Sequence, residues 1–426
     1  MPDGTASAHL YRPKLLTTFR EGYRPLDLRR DMMAGLTVAV IALPLSMAIA
    51  VASGVSPDRG LTTAIVGGAV VSALGGSRFQ IGGPAGAFIV LVAATAARFG
   101  VSGLITAVLM SGVMLALMGL LRLGSLVRHI PHAVTVGFTG AIAVTIAARQ
   151  LKDLGGLRLA GAEPGALGPK LAALAQAMGT LNAAALAVGA GVAAIILLLR
   201  RWRPAWPGML IAVAAAAAAA FALRLPVETI GSRFGALPRG IPFPQLPNLS
   251  PALLLSLAPS ALSFTLLGAV ESLLSAKVAD GMTGRKHRSN MELIAQGGAN
   301  VASALFGGIC VTGTIARTAA NVRAGARSPV AGLLHCAFLL LFVVLAAPLA
   351  GFVPMAALAG VLLVVAWNMA EKAEFWRLLH DWRAALVLLA TFGVTLARDL
   401  TAGILAGCAL AALLALFGRR VAEEGV

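Results

Sequence analysis

The chain has 426 residues, of which 58% are hydrophobic and only 12% are charged, and its mean hydropathy is +0.88. A soluble globular chain is about half apolar and about a quarter charged, so this composition excludes a water-soluble fold and requires a bilayer. The formal net charge of +17 does not indicate a nucleic-acid partner. The basic residues lie in short connections between apolar runs, and no basic stretch is interleaved with aromatic residues.

Residues 1–31 are polar and form a predicted N-terminal tail, without the short apolar stretch of a cleavable signal peptide. Fourteen apolar runs follow, at 32–53, 60–76, 84–97, 101–121, 130–148, 171–199, 207–223, 251–276, 291–307, 313–324, 329–347, 352–370, 384–398 and 400–418. A helical crossing needs about 20 apolar residues. The sequence therefore predicts an all-α integral membrane protein with fourteen transmembrane segments. Segments 3 and 10 are too short to span alone and are expected to be half-helices.

The distribution of Lys and Arg predicts the orientation of these segments. With the N-terminus in the cytoplasm, 24 of the 34 basic residues fall on the cytoplasmic side. We therefore expect both termini in the cytoplasm and a location in the inner (plasma) membrane of a bacterial-type cell.

The chain also divides into two halves that resemble each other. Residues 224–250 contain five prolines and are predicted to be an extracytoplasmic linker. In each half a Gly-rich extended stretch, at 80–86 and at 307–313, leads into a half-helix. Because the second half repeats the first after seven crossings, the repeat must be inverted. The predicted units are a first repeat at 32–223, a second repeat at 251–420, and a short tail at 421–426.

A half-helix that begins inside the membrane presents unpaired N–H groups and the positive end of its dipole. Two such helices entering from opposite sides would form a compact anion site. Pro84 suits the first turn of one helix, and Thr312 or Thr314 can cap the other. The alternative is that these Gly and Pro residues only kink packed helices.

Two charged residues lie in or beside these segments. Arg317 follows the start of segment 10 by one turn, where it either faces an anion or extends to the cytoplasmic surface. Glu271 is the one acidic residue deep within a long apolar run. It is either a proton acceptor for coupled transport or a counter-ion for Arg317, and a purely structural Glu–Arg pair is the remaining alternative.

Other polar residues have local interpretations. Glu292 follows Ser289 at the spacing of a capping box, which predicts that it starts a helix. The six histidines do not cluster, and the three cysteines lie in apolar surroundings, so neither a metal site nor a cofactor is expected. No Ser/His or Asp/Asp pair lies at membrane depth, so an enzyme is not expected.

Several stretches, taken in order, resemble the sulfate permease (SulP) family of anion transporters over nearly the whole chain. They are AGLTVAV (34–40), ALPLSMA (42–48), GGPAGAF (82–88), ESLLS (271–275), ADGMTG (279–284), NMELIAQG (290–297) and TGTIARTA (312–319).

The resemblance implies a core domain of segments 1–4 and 8–11 (32–121 and 251–347). It also implies a gate domain of segments 5–7 and 12–14 (130–223 and 352–418). Family members carry sulfate, bicarbonate, chloride or small dicarboxylates, and bacterial ones are often proton- or sodium-coupled symporters. A homodimer formed through the gate is a further expectation. The substrate-facing residues implied by motif position are Leu43, Leu45, Ser46, Gly86, Ala87, Phe88, Thr314, Ala316 and Arg317, with Glu271 as the coupling residue.

The chain departs from the family pattern in two places. Family members usually carry a cytoplasmic C-terminal STAS domain, whereas only about eight residues follow the last predicted helix here. Cys310 and Val311 stand where Pro-Ala is expected, which is predicted to loosen the extended stretch. The sequence leaves open a uracil/xanthine-type permease, an anion channel, and a sensor or scaffold without transport.

Overall fold

The computed structural model describes residues 11–125, 131–161, 163–164, 167–204, 206–398 and 400–423. The predicted tail and gate boundaries therefore fall partly outside the described residues, at 1–10, 130 and 424–426. Helices account for nearly all of the described secondary structure. The first half contains α1 (Lys14–Arg20), α2 (Pro25–Ala52), α3 (Pro57–Thr62), α4 (Gly68–Leu74), β1 (Gly82–Gly83), α5 (Ile89–Leu120), α6 (His132–Gly155), α7 (Leu167–Gln176), α8 (Ala183–Trp202) and α9 (Gly208–Ala222).

The second half follows a short helix in the Pro-rich linker, α10 (Ile230–Phe234). Its elements are α11 (Pro251–Thr283), α12 (Ser289–Leu305), β2 (Thr312–Gly313), α13 (Ile315–Arg323), α14 (Val330–Ala350), α15 (Met355–Met369), α16 (Lys372–Leu378), α17 (Trp382–Ala397) and α18 (Leu400–Glu423).

Seven helices in the described part of the chain are long and apolar enough to cross a membrane. Three shorter apolar helices lie at 208–222, 382–397 and 402–416. These observations confirm an all-helical, multi-pass membrane fold. They leave the exact fourteen-segment topology as a proposal.

The helices follow the order of the apolar runs, but several bounds differ. The sixth helix, α6, ends at Gly155 rather than at 148, and α11 ends at Thr283 rather than at 276. The first helix begins at Pro25 rather than at 32, and a separate helix, α1, lies within the predicted tail. The run at 171–199 is two helices, because Asn182 starts α8 by accepting hydrogen bonds from the backbone N–H groups of Ala184 and Ala185.

Segments 3 and 4 form one helical element, α5, that breaks at a single residue. Gly100 has φ 69° and ψ 177°, which lies outside the helical region and suits glycine. A 3₁₀ turn over Gly86–Phe88 leads into this helix. The predicted boundary between a short third segment and a fourth segment therefore coincides with a real interruption of the helix.

Small residues allow several helix pairs to pack backbone against backbone. A Cβ built on Gly297 of α12 would lie 2.6 Å from the Gly112 carbonyl of α5. A Cβ on Gly35 of α2 would lie 2.7 Å from the Ala331 carbonyl of α14, and one on Gly189 of α8 would lie 2.9 Å from the Ala356 carbonyl of α15. Such close approach is a usual source of helix association in membranes.

Candidate functional site

The two Gly-rich stretches meet in the middle of the fold. Gly82 pairs with Gly313 and Gly83 with Thr312, in a short antiparallel ladder. The first helical turn begins at Gly86 after one strand, and α13 begins at Ile315 after the other. Because the strands are antiparallel, the two helices leave in opposite directions with their N-termini innermost. This arrangement brings together the two helix ends that the sequence predicted.

The local roles predicted for Pro84 and the threonines are only partly correct. Pro84 lies two residues before the first helical turn, not within it. Thr314 stands at the N-cap position of α13, but its hydroxyl donates to the Ile81 carbonyl at 3.2 Å instead of capping the helix. Thr312 lies in β2, and its hydroxyl is 2.8 Å from that of Ser272.

Arg317 lies behind the strand pair, with 1% of its surface exposed. Its Nη2 donates to the Pro84 carbonyl at 3.0 Å, so it ties α13 to the stretch before α5. A Cβ on Gly83 would lie 2.2 Å from Nη1, which explains the need for glycine at that position. The Nε and Nη1 atoms are buried without a hydrogen-bond partner among the described residues. Arg317 therefore does not extend to the surface.

Glu271 lies on α11 between residues that contact both helix entrances. Gly268, one turn earlier, faces the ring of Phe88, since a Cβ there would lie 3.7 Å from Phe88 Cζ. Ser272 accepts from the Gly313 N–H at 3.2 Å. The side chain of Glu271 is 8% exposed and makes no hydrogen bond or ion pair with any described residue, Arg317 included. The counter-ion pair is therefore not formed in this conformation.

The other candidate residues differ in burial and position. Ala87, Phe88 and Leu45 are buried, whereas Gly86 is partly exposed and Ala316 is exposed. Ser46 is fully buried and its hydroxyl has no partner among the described residues. Leu43 faces away from this group and lines a small cavity of about 40 Å³ beside α14 and the linker.

The start of α5 also contacts helices of the predicted gate. A Cβ on Gly86 would lie 3.3 Å from Ile146 Cδ1 on α6 and 3.4 Å from Met369 Sδ on α15. These contacts are with the ends of side chains, in contrast to the backbone contacts that join α5 to α12.

A polar cleft of about 720 Å³ opens between the C-terminal part of α11 and the start of α6. Its charged and titratable lining residues are Lys277, Asp280, Arg285, Lys286, His287 and His132. Cations outnumber the single carboxylate, so the cleft suits the approach of an anion. No group of three or more His, Cys, Asp or Glu side chains suited to a metal ion occurs in the described part of the chain.

Glu292 is a residue whose role the sequence analysis assigned wrongly. The N-cap of α12 is Arg288, and no side chain caps the helix. Glu292 is instead fully buried and accepts hydrogen bonds from the N–H groups of Gly76 and Ser77, at 2.9 and 3.0 Å. The amides of Gln80 and Gln296 donate to its other oxygen at 2.8 and 3.1 Å.

A row of polar side chains along α12 binds both Gly-rich extended stretches. The helical spacing of these residues is visible in the sequence. Glu292, Gln296, Asn300 and Ser303 recur at helical spacing on one buried face. The side-chain amide of Asn300 makes two hydrogen bonds to the backbone of Val311. It donates to the Val311 carbonyl at 2.8 Å and accepts from the Val311 N–H at 2.9 Å. The expected loosening at Cys310 and Val311 is therefore not observed.

The four hydrogen bonds to Glu292 predict a strong effect of Glu292→Gln. A Gln side chain presents N–H donors to groups that are themselves donors, which leaves buried groups unpaired at a cost of roughly 3 kcal/mol. We expect a lower apparent melting temperature and faster hydrogen exchange at residues 76–83. Glu371→Gln, at an exposed carboxylate before α16, is the matched control and should change neither. Unchanged exchange at 76–83 in Glu292→Gln would show that Glu292 does not hold this stretch.

Comparison with known proteins gives a consistent result. The model of the sulfate permease family matches residues 28–391. The chain is 42% identical to the putative sulfate transporter YvdB of Bacillus subtilis, over 95% of this chain and 76% of the relative. It is 32% identical to the bicarbonate transporter BicA of Picosynechococcus, over 92% of this chain and 70% of the relative.

Solved structures show the same fold. The transmembrane domain of a cyanobacterial bicarbonate transporter BicA matches with a TM-score of 0.76 and 29% identity, over 90% of this chain and 98% of that one. SLC26A9 matches with a TM-score of 0.89 at 18% identity, over 97% and 69%, which shows the fold alone. The prediction of a transporter rather than an enzyme is confirmed by these relatives. The chain belongs to the sulfate permease family, as its motifs predicted.

Proposed function

We propose that the chain is a secondary active transporter of a small anion, either sulfate, bicarbonate or a small dicarboxylate, driven by proton symport. The observation that carries this proposal is the meeting of two helix N-termini at β1 and β2, beside the buried guanidinium of Arg317, whose Nε and Nη1 have no hydrogen-bond partner among the described residues. The names of the relatives, which are sulfate and bicarbonate transporters, support the same class of substrate.

The electrostatics of the crossing favour an anion. The first N–H groups of each helix lack acceptors within the helix, and the dipoles place partial positive charge at both ends. Arg317 adds a full charge, and no carboxylate pairs with it among the described residues. An isolated buried charge is costly. A bound anion offsets that cost, and Gly86 and Ala316 leave the helix entrances open to it.

The substrate residues proposed from the motifs form this site in part. Gly86, Ala87 and Phe88 supply one helix entrance, and Thr314 and Ala316 supply the other. We propose that Leu45 and Ser46 border the site from α2, as the motifs imply. We propose that Arg317 acts through its charge and through its tie to Pro84, because the guanidinium is closed off from solvent.

We further propose that transport moves a core domain against a gate domain, in two inverted repeats of seven segments. The core comprises α2–α5 and α11–α14, and the gate comprises α6–α9 and α15–α18. Backbone contacts join helices within each group, whereas the contacts of Gly86 with α6 and α15 involve the ends of Ile146 and Met369. An interface made of side-chain ends can slide more easily than one of interlocked backbones.

Glu271 is the proposed coupling residue. A charged carboxylate with no partner is unfavourable at this depth, so its protonation removes a charge from the moving core. When the anion carries a single negative charge, a proton bound together with it cancels that charge, so the loaded core gains no net charge. Sodium is the alternative coupling ion and is one condition of the test below.

We place the protein in the inner membrane with both ends cytoplasmic, on the basis of the Lys and Arg distribution. The cleft beside α11 then opens to the cytoplasm, because the C-terminal end of α11 lies on that side. Dimerisation through the gate stays a prediction.

The direct test is uptake of labelled sulfate, bicarbonate and a four-carbon dicarboxylate into proteoliposomes. Each is measured with an inward proton gradient, with an inward sodium gradient, and with neither. We expect saturable uptake of one anion that the proton gradient stimulates. Voltage-driven flux that does not saturate would contradict the symporter and favour a channel.

Glu271→Gln should abolish stimulation by the proton gradient, because the amide cannot take up the coupling proton. The exchange of anion at equal pH on both sides should persist, which shows that the protein is folded. Glu228→Gln, at a carboxylate that is 54% exposed, is the control and should retain stimulation. Full stimulation in Glu271→Gln would assign coupling to another group.

Arg317→Gln should raise the apparent KM for the anion by roughly ten- to a hundred-fold, the effect of losing a charge-assisted interaction. Arg317→Lys keeps the charge and should retain more of the affinity. Arg323→Gln, at an exposed arginine on the same helix, is the control and should leave KM unchanged. An unchanged KM in Arg317→Gln would make this residue purely structural.

A further inference from the structure

Residues 11–33, here called the N-terminal segment, lie across one end of the predicted core. The backbone N–H of Lys14 donates to the Gly75 carbonyl at 2.9 Å. Arg78 donates to the Glu21 carboxylate at 2.6 Å. This hydrogen bond lowers the pKa of the Glu21 carboxyl, so the tie is present at neutral pH and is lost only as the pH falls through that lowered value. Both contacts are with the stretch that leads from α4 into β1.

Further contacts fasten the segment to the other loops at the same end. Nη1 of Arg288 donates to the Arg12 carbonyl at 2.6 Å and to the Thr17 hydroxyl at 3.0 Å. The hydroxyl of Tyr11 donates to the Leu120 carbonyl at 3.2 Å. The segment therefore touches the ends of α4 and α5 and the loop before α12, and it is positioned by the core rather than by the gate.

The outward side of the segment is apolar. Leu16 and Phe19, which lie one turn apart on α1, are 52% and 54% exposed. Leu26 and Met33, two turns apart at the start of α2, are 56% and 58% exposed. The Phe19 ring packs edge-on against Tyr23, with 5.7 Å between the ring centroids, and about half of each of these four side chains stays exposed. At about 1.5 Å per residue the 28 residues of α2 extend about 42 Å, beyond a hydrocarbon core of about 30 Å. The first turns of α2, which carry the exposed Arg29 and Arg30, are the part of this length that suits the headgroup region.

Unpaired cations border this apolar surface. Arg20, Arg24, Arg29 and Arg30 are exposed, and none forms an ion pair with a described residue. Each acidic residue of the segment already has a hydrogen-bond partner. Glu21 binds Arg78, Asp27 accepts from the Arg24 N–H at 3.2 Å, and Asp31 accepts from the Ser328 hydroxyl at 2.5 Å. The free surface is thus apolar at its centre and cationic at its edge.

We propose that the N-terminal segment is an interfacial anchor that binds the anionic headgroups of membrane lipids. Its apolar side chains enter the boundary of the acyl chains, and its guanidinium groups bind the lipid phosphates. An exposed apolar face with a cationic border is the combination that binds a segment to the surface of an anionic membrane. Because the segment is hydrogen-bonded to the stretch before β1, lipid binding also steadies one strand of the site.

Hydrogen exchange of the whole chain in nanodiscs tests this proposal without any knowledge of the transported substrate. One set of discs contains phosphatidylcholine alone, and the other contains an equal mixture with phosphatidylglycerol. We expect the amides of residues 14–24 to exchange about fivefold or more slowly in the anionic discs, given about 1 kcal/mol per basic residue at such a surface. Raising the ionic strength should reduce the difference.

Equal exchange in the two kinds of disc would overturn the proposal. Equal slowing by inorganic phosphate added to the phosphatidylcholine discs would also overturn it, because the surface would then recognise a soluble anion rather than a lipid.

Paired variants separate the two parts of the surface. Arg20→Gln with Arg24→Gln should remove most of the lipid response, whereas Arg201→Gln with Arg203→Gln, at the end of α8, removes the same charge and should preserve it. Leu16→Ser with Phe19→Ser should also lose the response, while exchange within α11 stays unchanged. A full response in the Ser variant would contradict insertion and overturn the anchor.

Discussion

Extended backbone inside a membrane must find hydrogen-bond partners within the protein, because lipid supplies none. The stretches 75–83 and 307–314 face this requirement at the centre of the fold. They meet it partly by pairing with each other at β1 and β2, and partly through side chains from other helices. Glu292 and Asn321 hold the first stretch, while Thr63 and Asn300 hold the second.

These contacts cross between the halves of the chain. Glu292, from the second half, binds Gly76, which is 216 residues away, and Thr63, from the first half, accepts from the Ile309 N–H at 2.7 Å. Each half thus supports the broken segment of the other. The backbone of the two stretches is satisfied in this way, whereas the first N–H groups of the two helices lack acceptors within the helix. No carboxylate among the described residues pairs with Arg317. The same constraint that stabilises the crossing therefore underlies the anion site proposed above.

Much of this architecture could be predicted from the sequence, since apolar runs and Gly-rich breaks report directly on membrane depth. The half-helix at α13 and the break at Gly100 lie where the sequence places them. The capping role of Glu292 was wrong because a local Ser-x-x-Glu spacing cannot reveal a partner more than 200 residues away. The sequence likewise left open whether Arg317 faces an anion or extends to the surface. Its contact with the Pro84 carbonyl, which keeps it buried, depends on tertiary packing between the two halves. The split of 171–199 was missed, although Asn182 is a typical helix start.

Lipid and substrate act on the same stretch of chain in this account. The N-terminal segment contacts Gly75 and Arg78 at one end of the first stretch, and the anion is proposed to bind beyond its other end, at Gly86. The central claim, however, concerns the helix ends themselves. The most direct measurement is a structure of the protein with its transported anion at saturating concentration. The account predicts anion density within about 3 Å of first-turn N–H groups of both α13 and the turn at Gly86. An anion bound only among Lys277 and Arg285 in the cleft, with both helix ends empty, would contradict it.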